Sequence, residues 1–249
     1  MLVGGVAVLL LVSLTGLIIA ALREDRPAAP SAAQPPPQPI AGSGTPDDNL
    51  DSRETDRAAL AVKEVFPAKT LVVADGEPAY QVLKTQASTT CGTAATGEIA
   101  DLLDRLGCNL VVRGTLRSPG GDHLLTAGLF NVTDAASALR VRDRLRPLIE
   151  ERKGRFRGMA AGDDTTMVEK AAARVGWQTR GHYVAYCVVT RADGTRIAGD
   201  DSTARQIMYD VIELHLNRGV LNRRTAAGAG DRPTGTPTYG GVSQRATSD

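Results

Sequence analysis

The sequence predicts an α+β domain: a ferredoxin-like antiparallel sheet with helices on one face and a C-terminal strand-helix extension, preceded by one transmembrane helix. Three observations carry that expectation. From Lys69 onward the hydrophobic periodicity runs strand, helix, strand, strand, helix, strand, which is the βαββαβ order. Behind it stand a strand-like run, GHYVAYCVVTRADG (181–194), and a helical run, STARQIMYDVIELHLNRG (202–219). In front, Leu2 to Leu22 carries no charged side chain and would span roughly 31 Å as a helix, the thickness of a bilayer core.

Residues 1–22 read as an anchor rather than a cleaved signal. No basic n-region precedes the run, the run is long, and no small-x-small site closes it. Arg23 and Arg26 follow it, which by the positive-inside rule would leave the C-terminus in the cytoplasm. The cysteine pair described below argues for the opposite orientation, and the bulk of the chain is expected outside the cell membrane. Residues 23–50 hold seven prolines among Ala, Gln, Ser and Gly, a composition for a disordered stalk that extends at about 3.1 Å per residue. The folded domain is expected over 51–220. The segment 221–249 has no hydrophobic period and reads as a disordered tail.

Within the domain, SRETDRAALAVKEVF (52–66) is helix-prone and Pro67 ends it. TLVVAD (70–75) reads as a short buried strand. In GEIADLLDRLG (97–107), Ile99, Leu102, Leu103 and Leu106 fall on one helical face, with Gly107 at the C-terminal cap. Two apolar runs, 109–117 and 123–132, flank SPGGD and predict a hairpin. Asp134 then opens a helix bearing Ala138, Val141, Leu145, Leu148 and Ile149, which Pro147 should kink or shorten. RFRGMAA (155–161) reads as extended, and TTMVEKAAARVG (165–176) as a short helix capped by Thr166 and Glu169. Thr203 and Gln206 are spaced to cap the last helix, with Gly219 beyond its end.

Of 29 basic residues only five are lysine, which suggests GC-rich coding, and the 28 acidic residues nearly cancel them. No global field therefore argues for nucleic acid. Cys91 and Cys108 flank the helix at 97–107 and suit a disulfide, stabilising by roughly 3 kcal/mol in the chain-entropy model. Two reduced thiols in a cytoplasmic domain are the alternative. Neither cysteine has a neighbouring ligand at metal-site spacing, so no metal is expected, and no cofactor motif is present. Cys187, in an apolar run, reads as a buried thiol or an interchain bridge.

His123, His182 and His215 are too far apart in sequence to form a motif. His182 begins a strand and could meet Asp193 or Asp200 across a hairpin, which is the basis of one alternative, a cell-envelope hydrolase. The acid pairs Asp163-Asp164 and Asp200-Asp201 precede helical segments, where anions are stabilised for structural reasons. The one local charge bias is LRVRDRLRPLIEERKGRFR (139–157). There Arg140, Arg142, Arg144, Arg146, Arg152, Lys153, Arg155 and Arg157 outnumber Asp143, Glu150 and Glu151. This strip reads either as a surface for an anionic envelope polymer, lipid headgroup or protein partner, or as a solvated helix face.

CNLVVRGTL (108–116), LFNVTDAASA (129–138), GWQTRGHYVAYCVV (176–189) and ARQIMYDVIELHL (204–216) together resemble an uncharacterised family of membrane-anchored exported proteins from high-GC Gram-positive bacteria. The resemblance implies export and transfers neither an activity nor site residues. The functional expectation is a single-pass membrane protein displaying a non-catalytic extracytoplasmic binding domain.

Overall fold

A computed structural model describes residues 48–230. The segment Leu2 to Leu22, nearly all of the proline-rich stretch and the chain after 230 lie outside the described residues. Among the described residues, no helix is long and apolar enough to cross a membrane.

The strands are β1 (Thr70–Leu71), β2 (Tyr80–Ser88), β3 (Ala95–Thr96), β4 (Leu110–Arg117), β5 (His123–Asn131), β6 (Gly154–Phe156), β7 (Arg174–Arg180) and β8 (Tyr183–Arg191). Six of them form one antiparallel sheet in the order β1-β2-β4-β5-β8-β7, and β3 pairs with β6 in a separate ribbon. The helices are α1 (Val62–Val65), α2 (Gly97–Arg105), α3 (Ala135–Glu150), α4 (Met167–Lys170) and α5 (Ser202–Met208). A π-helical stretch, Tyr209–Leu221, continues α5 into α6 (Asn222–Gly230).

The expected hairpin is present, with Leu116 opposite Leu125. Asp134 caps α3 by accepting the Ser137 N–H at 2.7 Å, and α3 runs through Pro147 to Glu150. Gly107 ends the turn after α2 with φ +73°, and a side chain there would strike Thr133. The disulfide joins Cys91 to Cys108 across α2 with Cα atoms 6.2 Å apart.

Helices cover both faces of the sheet, not one. The reason is legible in β8: Tyr183, Ala185, Cys187 and Val189 enter one cluster with Val211 and Leu216, while Val184, Tyr186 and Val188 enter another with Ile99, Val141 and Leu145. A strand apolar on both sides leaves no face for water. β5, buried at every position, imposes the same condition one strand away.

The ferredoxin-like order also fails in detail. In the extended run 155–161 only Arg155 and Phe156 are strand, and they pair with β3 outside the main sheet, while β8 takes the place beside β5. TLVVAD contributes only Thr70–Leu71. The long strand of that region is β2, whose largely polar sequence and exposed Gln81, Leu83, Lys84 and Ala87, irregularly spaced across a bulge between Val82 and Lys84, gave no hydrophobic signal. The predicted helix at 165–176 shrinks to α4, after which the chain extends into β7.

At both ends the fold reaches further than the expected boundaries. Asn49 and Leu50 are buried, and only Val62–Val65 of the helix-prone 52–66 is helical. Asp201, not Thr203, caps α5, accepting the Ala204 N–H at 2.8 Å. The helix passes Gly219 because Val220, Leu221, Arg224 and Thr225 are all buried.

Candidate functional site

A cleft of about 850 Å³ lies between the β6 region and the segment running from α4 into β7. Its near wall is built by local hydrogen bonds. The Met159 N–H donates to Thr126 Oγ1 at 2.9 Å, and Thr115 Oγ1 donates to the Met159 carbonyl, so the chain after β6 lies against the sheet. The Ala160 N–H donates to Glu169 Oε1 at 2.8 Å, joining the two walls. The turn from α3 into β6 is fixed by α2: the Glu98 N–H donates to the Lys153 carbonyl at 2.9 Å. Gly97, at φ +56°, permits this approach, since a Cβ there would lie 2.2 Å from that same carbonyl.

Ile149, Phe156, Val168, Val175 and Val188 give the cleft apolar lining. Arg152, Lys153, Arg155, Arg157 and Lys170 supply five cations, and Glu169 is the one acid among the lining residues. Glu169 is already engaged with Ala160. Lys153 holds Glu151 at 2.7 Å, and that contact raises the Lys153 pKa and lowers that of Glu151. Arg152 has φ +58°, uncommon for a residue with a side chain.

The structure thus divides the basic strip. Arg152, Lys153, Arg155 and Arg157 line the cleft, whereas Arg140, Arg142, Arg144 and Arg146 do not. The latter four are exposed on α3, where every-second spacing spreads them widely around the helix. Arg142 pairs with Asp143 at 2.8 Å and Arg146 with Glu150 at 3.7 Å. Lys170 joins the cleft only through tertiary folding, and no local pattern announces it.

His182 does not meet Asp193 or Asp200. Its side chain is fully buried, Nδ1–H donates to the Leu50 carbonyl at 2.7 Å, and Nε2 lies 3.6 Å from Asp56 Oδ2. Asp56 accepts from Tyr183 Oη at 2.7 Å and from Arg224 Nε at 2.6 Å, and Arg224 also donates to Glu64 at 2.8 and 2.9 Å. Burial lowers the His182 pKa. This network ties the N-terminal arm to α6, and a general base needs access to a substrate that this imidazole does not have. Asp193 instead accepts from the Thr195 N–H and hydroxyl at 2.9 and 2.7 Å.

The other candidates are structural in their surroundings. His215 packs against Phe66 with ring centres 5.8 Å apart, and burial lowers its pKa to about 4. His123 is buried with Nδ1 3.1 Å from Asp122. Asp164 pairs with Arg117 at 2.5 Å, and Cys187 is a buried free thiol raised in pKa by desolvation. Among the described residues no cluster of His, Cys, Asp and Glu suits a metal ion.

No protein-family model, curated protein or solved structure matches this chain. The site must therefore be read from its own chemistry.

Proposed function

We propose that this chain displays a non-catalytic extracytoplasmic domain, held at the cell membrane by Leu2 to Leu22, whose cleft binds an anionic envelope polymer or an acidic protein segment. One observation carries the reading. Five cations surround an apolar-lined cleft whose single acid is internally occupied, and of the five only Lys153 is paired among the described residues, with Glu151, so an anion entering it meets a net excess of positive charge. The Cys91–Cys108 disulfide supports an oxidising compartment, as does the resemblance to exported proteins of high-GC Gram-positive bacteria.

The test has two parts. In intact cells, a membrane-impermeant maleimide should label Cys91 and Cys108 only after reduction; labelling only after lysis and without reductant would place the domain in the cytoplasm. With the full chain in neutral detergent, polyglutamate and polyglycerol phosphate are the probes. Binding should weaken steeply as salt rises, because exposed charges are screened over about 10 Å at 0.1 M ionic strength. Absence of binding to either polyanion at low salt would overturn the proposal.

A further inference from the structure

Resting on that reading of the cleft, we infer that the partner is an extended acidic peptide that adds to the open edge of β7 as a seventh strand. Among the described residues, β7 is the last strand of the sheet and pairs only with β8. From Arg174 to Thr179, among the described residues, no backbone hydrogen bond leaves its far side. Alternate N–H and C=O groups there face outward unpaired. Long edges are usually blunted by proline, lysine, a bulge or a covering segment. β7 has seven residues and no proline, is only partly buried along its whole length, and carries charge at its two ends alone, Arg174 and Arg180.

Two depressions flank this edge, one on each face of the sheet. On one face lies the basic cleft, reaching Ala171 to Ala173 and Val175. On the other, a groove of about 390 Å³ lies between β7 and the π-helical stretch, walled by Met208, Tyr209, Ile212 and Glu213. Gly176 faces that groove, and a side chain at this position would strike Ile212. Because successive side chains of a strand project to opposite faces, a strand laid against β7 sends alternate residues toward the face of the basic cleft, which meets β7 at Val175, and toward the groove, which is mainly apolar with Glu213 and Arg218 at its wall. The peptide that fits is therefore acidic at every second position and apolar between. Main-chain pairing supplies affinity and the two depressions supply selection, as in other strand-addition complexes.

A second copy of this chain fits less well. Symmetric antiparallel pairing of two β7 strands about Trp177 sets Arg174 of one copy opposite Arg180 of the other, and like charges directly opposite are unfavourable.

The probe is a Glu/Val alternating peptide of about nine residues, titrated against the full chain in detergent beside polyglutamate. Two further versions carry N-methyl groups on all glutamate amides or on all valine amides, each blocking one edge of the strand. The expected result is that one methylated version loses roughly tenfold or more in affinity, while the other binds like the parent, and that amides of 174–179 gain protection from hydrogen exchange. Equal binding of all three peptides overturns strand addition and leaves anion binding in the cleft intact. Binding of polyglutamate but not of the alternating peptide has the same meaning. A chain that sediments as a dimer and excludes the peptide assigns the edge to self-pairing and overturns the inference. Failure of every probe, polyglutamate included, removes the anion-binding reading as well.

Discussion

Acidification should weaken the domain through His215. The imidazole is buried against Phe66, with Nε2 left without a hydrogen-bond partner, and its pKa falls from 6.5 to about 4 because desolvation penalises the charged form. A buried neutral histidine binds fewer protons in the folded state than in the unfolded state. Its contribution is present above pH 6.5 and is lost as pH falls from there toward 4. By linkage, the loss amounts to about 2 kcal/mol at pH 5 and about 3 kcal/mol at pH 4. His182 shifts in the same direction, so the slope belongs to both groups and must be apportioned by a variant. His215→Met keeps an apolar side chain of related volume and removes the titration. Urea denaturation of both proteins at several values between about pH 7.5 and pH 5 measures the difference directly. The wild type should lose about 2 kcal/mol more than the variant over that interval. Equal slopes would show that His215 is not held neutral by burial and would refute the reasoning.

Arg224→Met leaves Asp56 without its guanidinium partner at the foot of α6 and should cost about 3–5 kcal/mol, as breaking one side of a buried ion pair does; an unchanged urea midpoint would contradict the network. Truncation after residue 220 removes the same arginine together with buried Leu221 and Thr225, and loss of the cooperative urea transition is the expected outcome. Reducing the Cys91–Cys108 bridge should lower stability by roughly 3 kcal/mol, read from urea midpoints with and without reductant. Gly97→Ala forces a Cβ toward the Lys153 carbonyl from a positive φ, so it should cost more than about 1 kcal/mol and weaken polyanion binding by moving the Arg152 turn.

Much of the fold was legible where the chain repeats at a clear period. Ile99, Leu102 and Leu103 announced α2, SPGGD announced the β4–β5 hairpin, and Asp134 announced the start of α3. β2 was hidden because its neighbours, not its own composition, make it a strand: seven of its nine residues pair with β4. β7 was hidden behind helix-forming alanines at 171–173. The second helical layer was readable in principle, since β5 and β8 are apolar on both faces, but a ferredoxin-like plan leaves no place for it. The C-terminal boundary fell early because Gly219 and the arginines after it look like a helix end. Buried Val220, Leu221 and Thr225, with Arg224 reaching Asp56 and Glu64 across a long stretch of sequence, show why the helix continues.

The cleft was half legible. Arg152 to Arg157 stood out as a charge run, but nothing in the sequence distinguishes them from Arg140 to Arg146, and Lys170 arrives from another segment. That division supplies the most direct measurement of the central claim. Polyglutamate binding should be compared for the full chain, for Arg155→Glu with Arg157→Glu in the cleft, and for Arg142→Glu with Arg146→Glu on α3. The account predicts a loss of roughly tenfold or more for the cleft pair and a change of about twofold or less for the helix pair. Equal losses from both pairs would mean diffuse attraction by a basic surface, and no loss from the cleft pair would contradict the cleft as the binding site.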